Sequence, residues 1–195
     1  IGCTPLYYAI SYRKTEIVTA LLAAAKDHSD DLLKDMLTTT FKEYGIGCTP
    51  LYYAISYRKT EIVNALLTAA KDHSDDLLQE MLTTKLITDD GTEYTTLHFA
   101  IIYGYVRTAI VQSVLAAAQG HSDDLLKEVL TTTFKEDGTE YTPLCLALIR
   151  ERTEKVQALL TAAKAHSDDL LKDMLTHSFT GDDGKEYTPL HLVIA

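Results

Sequence analysis

The sequence predicts a mainly α protein: an elongated α-solenoid of similar units, each with three short helices, joined by short β-hairpin loops. Three observations predict it. Residues 1–39 align with residues 46–84 with four differences: Thr19 against Asn64, Ala23 against Thr68, Lys34 against Gln79, and Asp35 against Glu80. A Thr-Pro-Leu or Thr-Thr-Leu start recurs at Thr4, Thr49, Thr95, Thr142 and Thr188, at intervals of 45, 46, 47 and 46 residues. A second marker, His-Ser-Asp-Asp, begins at His28, His73, His121 and His166. Self-similarity at a fixed period of this size is the mark of stacked repeats. No single unit can cover its own apolar faces, whereas stacked units cover one another's.

The expected organisation is one array over residues 1–195. Its units fall at approximately 1–45, 46–91, 92–138 and 139–184, with a partial unit at 185–195. No secretory leader follows Ile1, and the chain reads as a piece excised from a longer one.

Each element has a local cause. All four prolines follow a threonine. Thr as N-cap with Pro at the first helical position starts a helix. That first helix buries Leu6, Ala9 and Ile10 on one face and is broken by Arg13-Lys14-Thr15. The second helix starts near Glu16, carries Ile17, Val18, Leu21, Leu22 and Ala25 on one side, and stops near His28. Ser29 caps a third helix, and Asp30 and Asp31 stand in its first turn, where the helix dipole favours carboxylates. Leu32, Leu33, Met36 and Leu37 give it a buried face.

Between units the pattern changes. Thr132-Thr133-Phe134-Lys135 and Thr139-Glu140-Tyr141-Thr142 flank Glu136-Asp137-Gly138, and β-branched and aromatic arms about an Asp-Gly turn read as a hairpin. Asp89-Asp90-Gly91, Asp182-Asp183-Gly184 and Tyr44-Gly45 read likewise. Glycine stands four residues before the helix-start threonine at Gly45, Gly91, Gly138 and Gly184, as a left-handed turn requires.

Composition excludes several classes. The 195 residues include 18 Lys and Arg against 28 Asp and Glu, for a net charge of −10, and 46% hydrophobic residues. A disordered acidic tail would hold fewer apolar residues. Apolar runs such as Ala20 to Ala25 fall far short of the ~20 residues of a membrane span, so no membrane partner is expected. Three cysteines are too few for a disulfide scaffold and are expected as free thiols, which suits a reducing compartment such as the cytosol. The acidic balance argues against a nucleic-acid partner, whose phosphates require clustered Lys and Arg.

Thr4-Pro5-Leu6, Thr95-Thr96-Leu97-His98-Phe99-Ala100 and Thr188-Pro189-Leu190-His191 resemble the ankyrin signature T-P-L-H-x-A, and Glu16-Ile17-Val18-Thr19-Ala20-Leu21-Leu22 is similar to the second ankyrin helix. The resemblance covers the whole chain. It implies an ankyrin-type solenoid, here with a third helix added by the His-Ser-Asp-Asp-Leu-Leu segment, since an ordinary ankyrin unit has about 33 residues. The Gly-His that follows the first helix in this family survives only as Gly104-Tyr105; elsewhere Arg13-Lys14, Arg58-Lys59 and Glu151-Arg152 stand there. Long units of this kind are similar to ankyrin arrays in bacteria that live inside other cells, which would make the compartment a host-cell cytosol. The resemblance also implies that the histidine of the T-P-L-H position ties neighbouring loops by hydrogen bonds. Tyr7, Tyr52 and Cys145 replace it in other copies, so that role is not expected in every unit.

Candidate chemistry is sparse. His and Asp of the His-Ser-Asp-Asp motif are potential zinc ligands, but a motif repeated at the structural period reads as a helix end and cap. The Asp-Asp-Gly turns lack the alternating acids and final glutamate of a calcium loop. His98 and His191 have no nucleophile motif beside them, and phosphate-binding loops and metalloprotease or Cys-x-x-Cys motifs are absent from the sequence. No enzyme activity, cofactor or metal is expected within these residues.

What the resemblance implies instead is a scaffold that binds another protein. Tyr12, Tyr57 and Tyr103 occupy equivalent positions at the end of the first helix, with Arg150 in the fourth unit. In ankyrin proteins that place faces the partner groove, and Tyr and Arg are enriched at binding hot spots. The expected surface is Ser11, Tyr12, Ser56, Tyr57, Ile102, Tyr103, Ile149 and Arg150. Acidic hairpin tips at Asp89, Asp90, Glu136, Asp137, Asp182 and Asp183 either steer a basic partner or are simply solvated turns. The rival readings are the targeting part of a larger enzyme or effector, an RNA-binding helical repeat, and a structural spacer.

Overall fold

The computed structural model describes residues 4–43, 46–88, 91–103, 108–136, 139–180 and 184–194. One element order recurs four times. The first unit has α1 (Pro5–Ser11), α2 (Thr15–His28), α3 (Asp30–Thr38), β1 (Phe41–Glu43) and β2 (Ile46–Cys48). The second has α4 (Pro50–Ser56), α5 (Thr60–His73), α6 (Asp75–Thr83), β3 (Leu86–Ile87) and β4 (Glu93–Tyr94). The third has α7 (Thr96–Tyr103), α8 (Thr108–Gln119), α9 (Asp123–Thr131), β5 (Phe134–Glu136) and β6 (Thr139–Tyr141). The fourth has α10 (Pro143–Ile149), α11 (Thr153–His166), α12 (Asp168–Thr176), β7 (Phe179–Thr180) and β8 (Glu186–Tyr187), before a short α13 (His191–Ile194).

The third helix is a separate element, and its serine is the cause. Ser29, Ser74, Ser122 and Ser167 have extended backbone, and each Oγ accepts from the N–H three residues on, at 3.1 Å. Two acids follow in the first turn of each helix, as the dipole favours. The first helices begin as the Thr-Pro pairs foretell, with one difference. Thr4 and Thr142 accept from the N–H of Tyr7 and Cys145 at 3.4 and 3.3 Å, but Thr49 makes no such side-chain bond. In the third unit Thr96 replaces proline, and its buried hydroxyl donates to the Met81 carbonyl at 2.8 Å.

The units pack in register. First helices lie against first helices (α1 on α4, α4 on α7, α7 on α10) and second against second, while each third helix packs on the second helix of its own unit, and α3, α6 and α9 contact the next unit. Successive hairpins also touch. The core is therefore built between units, and its first member shows the consequence. Ile17 is 51% exposed, whereas Ile62 and Ile110 at the same position are fully buried. Leu32 is exposed as well, whereas Leu77 is buried. The expected core of the first unit thus holds for Val18, Leu22, Leu33 and Leu37 but not for Ile17 and Leu32, because their neighbour is a preceding unit.

The hairpins are antiparallel, with Phe41 opposite Cys48, Leu86 opposite Tyr94, Phe134 opposite Tyr141 and Phe179 opposite Tyr187. Glu136 belongs to β5, opposite Thr139, rather than to the turn. Gly91 and Gly184 adopt φ of +83° and +75°, the left-handed turn conformation read from their spacing. Gly45, Gly138, Tyr44 and the tips Asp89, Asp90, Asp137, Asp182 and Asp183 lie outside the described residues, as do Cys3, Gly104 and Tyr105. Cys48 and Cys145 are free thiols, and burial raises the pKa of the Cys145 thiol.

Candidate protein-binding surface

The T-P-L-x position is the first place where the structure corrects the sequence reading. Tyrosine ties the loops at this position in the first two units. The buried Tyr52 hydroxyl donates to the carbonyls of Thr84 and Tyr94, both at 2.8 Å, and so joins the end of α6 to the base of the next hairpin. Tyr7 does the same with Thr39 at 3.2 Å and with Cys48. At the same position His98 is buried, with Nδ1 2.7 Å from Thr95 Oγ1. Burial holds its pKa down at about 3, and the Tyr141 backbone beside it only partly offsets this. A buried neutral imidazole with no nucleophile is a structural group.

The His-Ser-Asp-Asp histidines also do more than end a helix. In His73, His121 and His166, Nδ1 meets the following serine at 3.0 to 3.2 Å. Nε2 meets the carbonyl of Asp30, Asp75 or Asp123 in the preceding unit at 3.0 to 3.1 Å. Nδ1 is thus committed within its own unit, and Nε2 holds unit on unit. The recurrence of His before the serine cap was the available cue, but its spatial partner lies about one unit away. No group of three or more His, Cys, Asp or Glu is placed to hold a metal among the described residues.

The expected surface residues all fall at the C-terminal end of the first helices, but they differ in availability. Tyr12 is 69% exposed, stacked parallel on Tyr8 with ring centres 6.3 Å apart. Tyr103 is 41% exposed, stacked on the buried Phe99 at 4.2 Å. Tyr57 is only half-buried and lies 4.7 Å from the buried Tyr53. Ser11 and Ser56 donate back to the carbonyls of Tyr8 and Tyr53 at 3.0 and 2.8 Å, so their hydroxyls are engaged within the helix. Ile149 is 40% exposed, and Ile102 is half-buried.

Arg150 is not a free counterpart of the tyrosines. Its Nη2 donates to both oxygens of Glu136, at 2.8 and 3.0 Å. That contact binds the hairpin of the third unit to the first helix of the fourth. Tyr94, Ile102, Tyr103, Glu136, Ile149, Arg150, Glu151 and Arg152 line a recess of about 450 Å³ between those units. The structure therefore brings four of the eight expected residues together, Ile102, Tyr103, Ile149 and Arg150. Sequence reading missed Tyr8, whose i, i+4 spacing to Tyr12 was the available signal, and the pairing partner Glu136.

Stacked first helices, second helices and hairpins in four successive copies define a helical repeat solenoid of the ankyrin-repeat fold. The family model described as ankyrin repeats (3 copies) matches residues 1–75, so that part of the chain is similar to ankyrin repeats in sequence. Among solved structures, the Legionella pneumophila effector AnkC is similar over 96% of this chain, with a TM-score of 0.61 and 18% sequence identity. This chain covers 51% of the AnkC chain. At that identity the likeness shows the fold alone. No curated protein matches the chain. Ankyrin repeats generally mediate protein–protein interaction and are typically non-enzymatic. No helix among the described residues is long and apolar enough to cross a membrane.

Proposed function

We propose that residues 1–195 form one continuous array, with units near 1–45, 46–91, 92–138 and 139–184 and a partial unit at 185–195. It binds another protein through the ends of its first helices and the adjoining hairpin tips. The observation that carries this reading is the group of apolar side chains left in solvent at the ends of the first helices. Tyr12 and Tyr103 are exposed at one repeat position, and Ile149 is exposed at the position before it. An aromatic ring half in water, braced by a second ring beneath it, offers contact area at little entropic cost on binding. The recess between the third and fourth units adds depth to the group. Catalysis, cofactors and nucleic acid have no part in this reading, and Cys48 and Cys145, neither in a disulfide among the described residues, fit a reducing compartment such as the cytosol.

A second reading has one observation in its favour. The chain covers about half of the AnkC chain, and that protein is an effector of a bacterium. On this reading the array is the targeting part of a longer effector or enzyme that acts in a host cytosol.

A photo-crosslinking residue placed at position 12 or 103 tests the proposal. It is expected to capture a protein partner that the same group at Lys26, on the second helix, does not capture. Equal capture at all three positions overturns the assignment of the surface.

A further inference from the structure

We infer that the partner segment held by the first two units is acidic, with carboxylates spaced three residues apart in an extended chain. The inference rests on the reading that the ends of the first helices are the binding surface. It begins from strain. Arg13 and Arg58 follow Tyr12 and Tyr57 with φ of +61° and +57°. That is the left-handed region, where any residue but glycine meets a steric penalty. The third unit has glycine at this position in the sequence, Gly104. The helix dipole favours a cation near a C-terminus, but Lys14 and Lys59, one residue on, already supply it without occupying the strained position. The cap bonds from Lys14 N–H to the Ala9 carbonyl and from Lys59 N–H to the Ala54 carbonyl account for the left-handed turn itself, but not for arginine at it.

Charge gives the second, independent observation. The third helices α3, α6, α9 and α12 together carry twelve carboxylates against three lysines, which accounts for most of the net charge of −10. The first loops of units one and two depart from this balance, each with an arginine and a lysine against one first-turn glutamate, Glu16 or Glu61. Lysines elsewhere pair across units, Lys26 with Asp72 at 3.6 Å and Lys34 with Glu80 at 3.8 Å. Arg13, Lys14, Arg58 and Lys59 form no ion pair among the described residues. Two exposed arginines therefore stand uncompensated, on an otherwise acidic protein, beside the exposed tyrosine.

Geometry sets the spacing. Stacked helices lie about 8 to 10 Å apart, and an extended chain of polyproline type rises about 3.1 Å per residue with three residues per turn, so that residues three apart share a face. Carboxylates three residues apart would thus meet Arg13 and Arg58 in turn, and arginine accepts a carboxylate through two parallel N–H bonds. The cationic stretch ends after the second unit: Gly104 takes the equivalent position in the sequence of the third, and in the fourth Glu151 takes it with φ of +53° while Arg150 is paired to Glu136. The partner is acidic over units one and two.

Selection of random peptides a dozen residues long on the immobilised chain tests this. The expected result is enrichment of Asp or Glu at a spacing of three. The double variant R13E/R58E is expected to reverse the preference toward Lys and Arg. The variant R13G/R58G is expected to weaken a selected acidic peptide about tenfold at low salt, while its melting temperature rises because glycine relieves the strain. Peptides enriched without charge bias, yet lost in Y12A/Y103A, would overturn the acidic partner and leave the binding surface standing. Acidic peptides whose binding survives R13E/R58E would overturn the site assigned here. Selection of no peptide at all would count against both.

Discussion

The hydroxyl of Tyr52 lies 2.8 Å from the backbone carbonyl of Tyr94, forty-two residues away, and bonds the Thr84 carbonyl at the same distance. One phenol thus joins the end of a unit's third helix to the base of the following hairpin. The variant Y52F keeps the ring and its edge contact with Phe99 but strips both carbonyls of their shared donor. A buried acceptor left unpaired costs about 1 to 3 kcal/mol. Denaturant unfolding is expected to show a loss of that order with an unchanged m-value, and a loss near zero would show that water replaces the hydroxyl.

His98 occupies the same position in the third unit and makes stability depend on pH. Its pKa is about 3 in the folded chain against an ordinary 6.5, because burial disfavours the imidazolium. Between those values the unfolded chain binds a proton that the folded chain refuses, so stability falls as pH drops from about 6.5 toward 3 and is complete above that window. The variant H98Y, which installs the residue of the first two units, is expected to lose that part of the acid sensitivity. Melting curves of both proteins at pH 7 and pH 4.5 check this; an identical fall in both would remove His98 as a cause.

The histidine ladder makes a comparison within one protein. His121 joins the Asp75 carbonyl of the preceding unit at 3.0 Å, whereas His28, the equivalent residue of the first unit, is exposed. The variant H121A is expected to lose about 1 kcal/mol, the net worth of a typical hydrogen bond, and H28A to stay within about 0.5 kcal/mol of the parent. Equal effects would mean that the histidines matter to their own helix ends and not to the stacking.

Lys155 stands where Ile62 and Ile110 stand in earlier units, and it is as buried as they are. Its Nζ donates to the carbonyls of Ile101 at 2.6 Å and Ala100 at 3.4 Å, near the end of α7. Burial, with Arg152 nearby, lowers its pKa to about 8 from 10.5. The unfolded chain therefore holds the proton more tightly between those values, and stability of the parent rises as pH climbs from 8 to 10.5. The variant K155I is expected to be more stable at pH 7, with the advantage shrinking toward pH 10.5. A less stable K155I at pH 7 would show that the two carbonyls need the ammonium.

What was legible in the sequence was whatever repeats at short range. The Thr-Pro starts, the serine caps and the apolar faces each act within one or two helical turns, and α1 to α12 lie where they point. What was not legible depends on neighbours a full unit away. Ile17 and Ile62 sit in identical surroundings in sequence, and only stacking separates an exposed side chain from a buried one. Tyr52 carried no sign that its hydroxyl replaces a histidine nitrogen, because its acceptors are thirty-two and forty-two residues off. Arg150 read as an open side chain until Glu136, fourteen residues before it, closed on it. The left-handed Arg13 and Arg58 were visible only as departures from a glycine, with no measure of their backbone.

The central claim is that the exposed row at the ends of the first helices binds a protein partner. Its most direct test is the affinity of Y12A/Y103A for the partner captured by crosslinking at these positions, measured beside the parent and K26A. Tyr57 is left in place because it packs on Tyr53. The account predicts a melting temperature within a few degrees of the parent for both variants, since exposed substitutions change stability by about 0.5 kcal/mol each. It predicts affinity weakened about thirtyfold or more for Y12A/Y103A, since a hot spot costs about 2 kcal/mol or more on truncation, and unchanged affinity for K26A. Parent-like affinity in a folded Y12A/Y103A would contradict it.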